Sequence, residues 1–555
     1  MHLKIVKAGN YEYVRLVESY REDGQVKHKV ILNLGRKDLI EGNPSFKRLA
    51  ERLLELSGAA AKMNAPQTSE GVLRNYGFVV YRKLWQLFEL DDFFAKLKEN
   101  HVKLQFDLNS VILLMVVQHL LSPRSKLATF EQRHLYLGIP EMDLNHLYRS
   151  LDLLAGNKEV IENYIFERNR SLFNMSVDVV FYDVTTFYFE SVREDGFRNF
   201  GFSKDNKINE VQIVMGLLID CEGRPIGYEL FPGNTLDSKT LEMSLDKLKE
   251  RFNIRQVIIV ADRGLNSKLN LGRIKAKGYE YIVASRLKKM PERVLDQVFE
   301  PDGYTSLNPA FMAQKDQDMP GEFRYKVLDH TTSYKDDEGK IIQLAEKLVI
   351  TYSEKRARKD KADRNRLVEK AVSLLAEPAK IKASNKKGGK RFILHQSEND
   401  QYSLNEKAIA VDERFDGYYA IQTSLPDLSA EAVLEAYHAL WKIEESFRIM
   451  KSTLEVRPIF HWTEQRIKGH FVVCFLAFLL ERTLEFKLKK NDFPMSPSQI
   501  RQALNSLLFT ELEMYGQPYL IKMKPTEGAN KILRLLRITP PKNIIHLEEA
   551  TEFIW

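Results

Sequence analysis

The chain has 555 residues, of which 44% are hydrophobic and 29% charged, a balance that is typical of a folded protein of several domains and excludes an intrinsically disordered chain. Lysine and arginine outnumber aspartate and glutamate by only 83 to 76, so the net charge of +7 does not by itself indicate a polyanionic partner. The two cysteines, Cys221 and Cys474, are too few for a disulfide framework or a cysteine-based zinc site and favour a cytoplasmic protein.

The N-terminal third of the sequence contains two different periodicities. Residues 1–45 alternate between polar and apolar side chains around an Asp23-Gly24 turn, which predicts a β-hairpin module. Residues 46–172 follow the 3.6-residue period of helices instead. We therefore expect a small β module followed by a helical region.

The segment 173–290 alternates short apolar runs with amphipathic stretches. The predicted strands are 177–183, 211–220, 226–231, 256–262 and 279–284, and the predicted helices are 238–252, with Asp237 as N-cap, and 265–277. This β-β-β-α-β-α-β order predicts a mixed sheet covered by helices.

The C-terminal half of the chain is predicted as a β-rich insertion, residues 291–428, followed by helical segments at 429–490 and 491–555. The longest apolar run, residues 471–480, is about half of the roughly 20 residues that a membrane helix needs, and Lys468 and Glu481 lie close to its ends. We expect it to be a buried helix, and we expect no membrane partner.

One strongly basic segment interrupts the insertion. Residues 355–391 contain 14 lysines and arginines and four acids. Such a segment either binds nucleic-acid phosphates, with release of counterions, or forms a solvated helix and turn. Charge alone does not separate the two interpretations.

Two aspartates lie at the ends of predicted strands that we expect to be buried. Asp183 closes the run Val-Phe-Tyr-Asp, and Asp262 closes Ile-Ile-Val-Ala-Asp. Because ligand sites gather where the strands of an α/β sheet end, both are candidate metal ligands. The alternative for either one is a turn or N-cap aspartate, the interpretation that we prefer for Asp220, which precedes Glu222-Gly223.

A third acid lies on the predicted helix 429–452. Glu444 shares one face, by i, i+3, i+4, i+7 spacing, with the residues Tyr437, Leu440, Trp441, Phe447 and Lys451. We expect this stripe to be buried, where a carboxylate costs several kcal/mol unless it forms an ion pair or binds a cation. Glu445 points about 100° away and is expected to face solvent.

Asp183, Asp262 and Glu444 together offer only hard oxygen ligands. This set is suited to Mg²⁺ or Mn²⁺ rather than zinc. Two such ions about 3.5–4 Å apart can hold the attacking and leaving oxygens of an in-line phosphoryl displacement. The chemistry that we expect is cleavage or transfer of a phosphodiester.

The glutamate helix resembles that of insertion-sequence transposases of the Asp-Asp-Glu (DDE) class, in the branch with a Tyr-Arg-Glu-Lys (YREK) signature. Tyr437, Glu444 and Lys451 match the signature, whereas Leu440 occupies the arginine position. Lys442 or Arg448 could take over the phosphate contact of that arginine. The segments Tyr182-Asp183-Val-Thr-Thr and Ala261-Asp262-Arg-Gly resemble the two catalytic aspartate motifs of the family.

The resemblance implies an α/β fold, a ribonuclease-H-like catalytic core in segments 173–290 and 429–490, interrupted by the β-rich insertion and flanked by the N-terminal β/helical and C-terminal helical regions. It implies catalysis by Asp183, Asp262 and Glu444 with two Mg²⁺ or Mn²⁺ ions. Tyr437 and Lys451 would contact phosphates, as would Arg448 and, beside Asp262, Arg263.

The implied partner is double-stranded DNA, both the terminal inverted repeats of the element and the target. The implied assembly is a homodimer in a synaptic complex, cytoplasmic and associated with the nucleoid when DNA is bound. Some relatives pass through a DNA hairpin. We assign recognition of the ends to the helical region 46–172. Two alternatives stay open, namely an inactive DNA-binding descendant of a transposase and a metal-dependent nuclease of repair or recombination.

Overall fold

The structure is a computed structural model, and it describes most of the chain. The described residues are 1–22, 25–56, 67–101, 104–173, 179–201, 209–236, 239–241, 243–244, 252, 258–306, 323–335, 339–377, 381, 388–396, 401–457, 459–514 and 517–552. The predicted Asp23-Gly24 turn, the Asp237 cap and most of the predicted helix 238–252 lie outside them.

The described part of the chain contains both strands and helices. The strands are β1 (His2–Ala8), β2 (Tyr11–Glu22), β3 (Gln25–Arg36), β4 (Gln67–Asn75), β5 (Val179–Tyr188), β6 (Gln212–Asp220), β7 (Pro225–Pro232), β8 (Ile258–Ala261), β9 (Glu280–Ala284), β10 (Thr305–Ser306), β11 (Phe323–Lys335), β12 (Ile341–Ser353), β13 (Ile393–Gln396), β14 (Gln401–Leu404), β15 (Tyr418–Thr423), β16 (Leu508–Met514), β17 (Gln517–Lys522) and β18 (Ile544–His546).

The helices are α1 (Lys37–Ile40), α2 (Pro44–Leu56), α3 (Phe78–Leu87), α4 (Leu90–Glu99), α5 (Leu108–Leu121), α6 (Lys126–Glu131), α7 (Leu144–Gly156), α8 (Lys158–Phe173), α9 (Lys268–Ala276), α10 (Glu292–Phe299), α11 (Glu354–Leu375), α12 (Glu406–Glu413), α13 (Ala430–His438), α14 (Trp441–Arg448), α15 (Glu464–Lys490), α16 (Pro497–Asn505) and α17 (Glu527–Leu535). A π-helical turn, Ile449–Thr453, follows α14.

A large mixed sheet forms the centre of the molecule, with the strand order β10-β11-β12-β15-β9-β8-β5-β6-β7. Strands β5, β6 and β7 pair antiparallel, and β8 and β9 continue parallel to β5. This arrangement confirms the predicted α/β class and its ribonuclease-H-like core. Strand β15 of the insertion pairs with β9, and β11 and β12 extend the same sheet beyond it.

The long helix α15 anchors the core. Every residue of its apolar run, 471–480, is buried, and it packs against α5, α7 and strand β7. The run is therefore a buried helix, as its length predicts. Within the described part of the chain, no helix has the length and apolar character to cross a membrane.

Both ends of the chain differ from the sequence-based prediction. At the N-terminus β1 adds to the predicted hairpin, so that β1, β2 and β3 form a three-stranded antiparallel sheet. The C-terminal region is not purely helical, because β16, β17 and β18 form a sheet with β4. These strands are short, and β16 pairs with a strand more than 400 residues away, so local periodicity did not reveal them.

A buried carboxyl group joins α15 to α3. The Tyr81 hydroxyl donates to Glu481 Oε2 at 2.7 Å, and both side chains are buried. Burial, reinforced by the neighbouring Glu485, raises the pKa of Glu481 to about 8. The protonated form of Glu481 is therefore the form that favours folding.

This carboxyl group predicts a pH dependence of stability. Because the pKa in the folded state exceeds the ordinary value of 4.5, the stabilisation is complete below that pH and is lost as the pH rises to about 8. Glu481→Gln keeps a neutral side chain, so we expect its stability relative to wild type to increase between pH 5 and pH 8 by roughly 3–4 kcal/mol, because wild type loses about 1.4 kcal/mol per pH unit between the two pKa values. Urea unfolding measures this difference. The exposed Glu464→Gln is the control, and a pH-independent difference for Glu481→Gln contradicts the assignment.

Candidate active site

The register of two parallel strands brings the predicted aspartates together. Val180 of β5 pairs with Ile259 of β8, and Phe181 pairs with Val260. Continued by two residues, this register sets Asp183 beside Asp262. Neighbouring strands lie about 4.8 Å apart, so the two carboxylates share one small region at the carboxyl end of β8.

Alternation along β5 fixes the face on which Asp183 lies. Tyr182 and Val184 are buried in the cluster on one face of the sheet, while Phe181 and Phe187 belong to the cluster on the other face. Side chains two residues apart share a face, so Asp183 lies on the side of Phe181. Ile443 and Phe447 of α14 belong to that same cluster, and α14 packs on β5.

Asp262 is exposed immediately after β8. It precedes a single 3₁₀ turn, Arg263–Leu265, but its side chain does not cap that turn. Asp220 behaves differently, because its buried carboxylate accepts the backbone N–H groups of Glu222 and Arg224 at 2.9 and 2.7 Å. The turn interpretation therefore holds for Asp220, and it does not account for Asp262.

Tyr437 is influenced electrostatically by both Glu444 and Asp262. Its hydroxyl lies 2.7 Å from the hydroxyl of Tyr419 on β15. Burial raises the pKa of Tyr437, the neighbouring Tyr419 raises it further, and the negative charges of Asp262 and Glu444 both contribute. One phenol thus lies within electrostatic range of both carboxylates. Helix α14, which carries Glu444, packs on β5 through the cluster on the side of Asp183.

The predicted burial of Glu444 is wrong. Glu444 is exposed, and Trp441 of the same stripe is 48% exposed. The predicted helix is interrupted by a turn at Ala439 and Leu440, and the face that α14 buries carries Ile443 and Phe447. Glu444 forms no ion pair with any residue that the structure describes, so the alternative of a buried ion pair is also wrong. Its neighbour Glu445 is the paired residue, 3.2 Å from Arg482 Nη1.

The residues predicted to contact DNA lie on or next to the elements that carry these acids. Arg263 follows Asp262 and is exposed, and Arg448 at the end of α14 is exposed as well. Lys451, in the π-helical turn, lies 5.9 Å from the ring centre of Phe187 on β5. Tyr437 is only partly buried, so one side of it is accessible.

The arginine position of the signature is filled by a buried side chain. Leu440 is only 7% exposed and packs in the core. The Lys442 ammonium donates to the backbone carbonyl of Cys221, which holds this side chain away from the acids. Arg448 is therefore the better placed of the two residues that could take over a phosphate contact.

A cleft beside Asp262 was not predicted. It has a volume of about 730 Å³ and lies between the sheet and α11, which carries the first half of the basic segment. Arg364 of α11 is neutralised by Asp416. By contrast, Arg263 and Lys289 form no ion pair within the described ranges, so they give the cleft wall an unbalanced positive charge. The basic segment was the only sequence signal for this feature.

The register of β5 and β8 can be tested by cross-linking. Adjacent strands place Cα atoms within the 4.4–6.8 Å range of disulfides, so we expect Asp183→Cys with Asp262→Cys to form a disulfide under mild oxidation. Peptide mapping by mass spectrometry measures it. Asp183→Cys with Asp427→Cys is the control pair, and the two single variants exclude pairing with Cys221 or Cys474. Equal cross-linking in both pairs would contradict the register.

Comparison with known proteins agrees with this geometry. The family model of the transposase DDE domain matches residues 176–480, and the model of the N-terminal domain of IS1634 family transposases matches residues 3–65. A search of curated proteins found no match. A solved structure, the piggyBac transposase synaptic complex with hairpin DNA, shares 9% identity and a TM-score of 0.33 over 77% of this chain and 79% of that chain, too little to support an argument.

The DDE domain model covers more than half of the chain and contains the strands and the helix that carry Asp183, Asp262 and Glu444. The chain therefore belongs to the DDE transposases.

Proposed function

We propose that this DNA transposase cleaves and joins strands by metal-dependent in-line phosphoryl transfer, with Asp183, Asp262 and Glu444 as the catalytic metal ligands. The register of β5 with β8 is the observation that supports this proposal most strongly, because it sets two carboxylates side by side. The effect of both Asp262 and Glu444 on the pKa of Tyr437, together with the packing of α14 on β5, supports a place for the third acid near the other two.

The donor set fits a hard divalent cation. It consists of carboxylate oxygens, the ligands that Mg²⁺ and Mn²⁺ prefer. Asp262 and Glu444 are exposed, and neither forms an ion pair with a described residue. Carboxylates held close together repel one another unless a cation neutralises them. We propose two ions, because three carboxylates can hold a pair and a pair suits both oxygens of the displacement.

When bound, the ions supply an acidified water or 3′-hydroxyl and neutralise charge on the phosphate. The residues of the chain orient the strand. Because the pKa of Tyr437 is raised, its hydroxyl stays protonated and can donate to a phosphate oxygen. Arg448 and Arg263 lie beside Glu444 and Asp262, where guanidinium groups can hold further phosphate oxygens. Lys451 adds a positive charge next to β5.

The cleft beside Asp262 is the path that we propose for the DNA backbone leaving these acids. The cleft is lined by Arg263, Arg286 and Lys289. On its far side, the Arg356 guanidinium of α11 lies over the ring of Tyr419. Neutralised phosphates release counterions and add affinity without reading sequence. The partner is double-stranded DNA, at the ends of the element and at the target, and the active assembly that we propose is a homodimer.

Two parts of the proposal rest on the sequence. The helical region 46–172 is our candidate for recognition of the inverted repeats. The YREK branch stays a prediction that rests on Tyr437, Glu444 and Lys451, since Leu440 departs from the signature.

An inactive DNA-binding descendant is the second candidate function. In such a protein the acids would have structural roles, as Asp220 has in its turn. The uncapped position of Asp262 and the lack of an ion pair at Glu444 within the described part of the chain favour catalysis instead.

Variants of the three acids test the proposal. We expect Asp183→Asn, Asp262→Asn and Glu444→Gln each to reduce cleavage of a labelled element end in Mg²⁺ by on the order of 100-fold or more, because each removes a metal ligand. Binding of the uncleaved end should change little. Denaturing gel electrophoresis separates a nick, a double-strand break and a hairpin.

The matched control is Glu435→Gln, an exposed glutamate on α13 outside the site. It should cleave as wild type does, and chelation of the metal should stop both proteins. Normal cleavage by any of the three acid variants would remove that residue from the proposed site. Wild-type cleavage that persists in a chelator would refute metal dependence.

A further inference from the structure

A second cavity lies between α5, α6 and the segment that enters α15. Its volume is about 350 Å³. Its wall carries six nitrogen-bearing side chains, and we call it the Lys126 pocket after the central one: His119, Arg124, Lys126, Arg457, His461 and His470.

Lys126 is buried in this wall without an anion. It is 3% exposed, and its ammonium donates to His119 Nε2 at 3.1 Å. Among the residues that the structure describes, Lys126 forms no ion pair with a carboxylate. Burial lowers the pKa of Lys126 to about 8, which leaves the group largely charged at neutral pH. A buried charge of this kind is costly unless a counter-charge reaches it.

The histidines around Lys126 are neutral and so do not add to its positive charge. Burial lowers the pKa of His119 and His470, and it lowers that of His461 to about 3. His470 Nδ1 is buried and has no hydrogen-bond partner among the residues that the structure describes. The pocket therefore holds an unpartnered polar atom close to an uncompensated cation.

A transition metal fits this pocket less well than an anion. The ligand atoms of His119, His470 and Cys474 lie within 4.8 Å of one another, as a metal would require. However, His119 Nδ1 faces the carbonyl of Leu454 at 3.2 Å, so Nε2 carries the lone pair, and the Lys126 ammonium already binds it. A metal ion would have to displace that cation.

The charge of the wall favours an anion. Arg124, Lys126 and Arg457 are cationic, and the one acidic residue of the lining, Glu455, lies 3.8 Å from Arg501. Arg457 of the lining connects the pocket to strand β5, because its guanidinium lies 5.4 Å from the ring centre of Tyr188. Tyr188 is five residues from Asp183 along the strand, about 16 Å at 3.3 Å per residue. That distance corresponds to about five nucleotides of a stacked DNA strand.

We propose that the Lys126 pocket binds a phosphate of the DNA backbone about five nucleotides from the bond that is cut. The proposal rests on the proposed function, since it places the strand at Asp183. The ammonium of Lys126 and the guanidinium of Arg124 hold the phosphate oxygens. The contact fixes the register of the strand and takes no part in the chemistry.

A scan of neutral linkages tests this contact without cleavage. An element end in Ca²⁺ carries a single methylphosphonate, moved stepwise along the strand, and fluorescence anisotropy measures its binding to the full chain. We expect one position to weaken wild-type binding about tenfold, the loss of a charge-assisted hydrogen bond. In Lys126→Met that position should cause no further loss. Lys490→Met, an exposed lysine at the end of α15, is the matched control and should keep the tenfold effect.

The exposed Arg124→Gln gives a second test if Lys126→Met does not fold, because it should halve or abolish the same positional effect. An undiminished effect in both variants overturns the proposal. Binding of inorganic phosphate without any effect of the neutral linkages shows a site for free phosphate and overturns the DNA contact. Stoichiometric binding of Co²⁺ with a sulfur charge-transfer band would identify a metal site at Cys474. That result would overturn the proposal that the pocket binds an anion.

The acid variants separate this proposal from the proposed function. Asp183→Asn should bind the methylphosphonate series as wild type does. If the acid variants cleave normally while the positional effect still depends on Lys126, the catalytic assignment fails and the phosphate contact stands.

Discussion

The parallel pairing of β5 with β8 is the constraint on which the active site depends. Two neighbouring carboxylates repel each other. The structure can tolerate this repulsion because both strands are held in place by buried apolar residues on both faces of the sheet. The apolar strands therefore supply the stability that holds the acids in place. In the proposed site, Glu444 joins the two aspartates from α14, which packs on β5. A site of this kind is ready for a cation that neutralises it.

The insertion contributes to the site through the sheet. Its strand β15 pairs with β9, and its Tyr419 forms the hydroxyl pair with Tyr437 beside Asp262 and Glu444. Its helix α11 forms one wall of the cleft that begins at Asp262. The insertion thus continues the catalytic sheet and shapes the surface along which DNA is proposed to run.

Sequence patterns placed Asp262 correctly at the end of its strand, but Asp183 was wrongly predicted to end a strand, since β5 continues to Tyr188. They misjudged Glu444, since the stripe assumed one continuous helix and the turn at Ala439 and Leu440 changes which face is buried. Contacts between residues far apart in sequence could not be predicted from local patterns. Only the fold shows that His461 and His470 line the same pocket as Lys126. The cleft and the C-terminal sheet depend on similar long-range pairing.

The central claim is that Asp183, Asp262 and Glu444 bind divalent ions together. Anomalous diffraction from crystals of the protein with an element end and Mn²⁺ tests it most directly. The account predicts manganese peaks within coordination distance of the carboxylate oxygens of Asp183 and Asp262, with Glu444 as a further ligand. Manganese bound elsewhere in the ordered complex, with these three carboxylates free of metal, would contradict it.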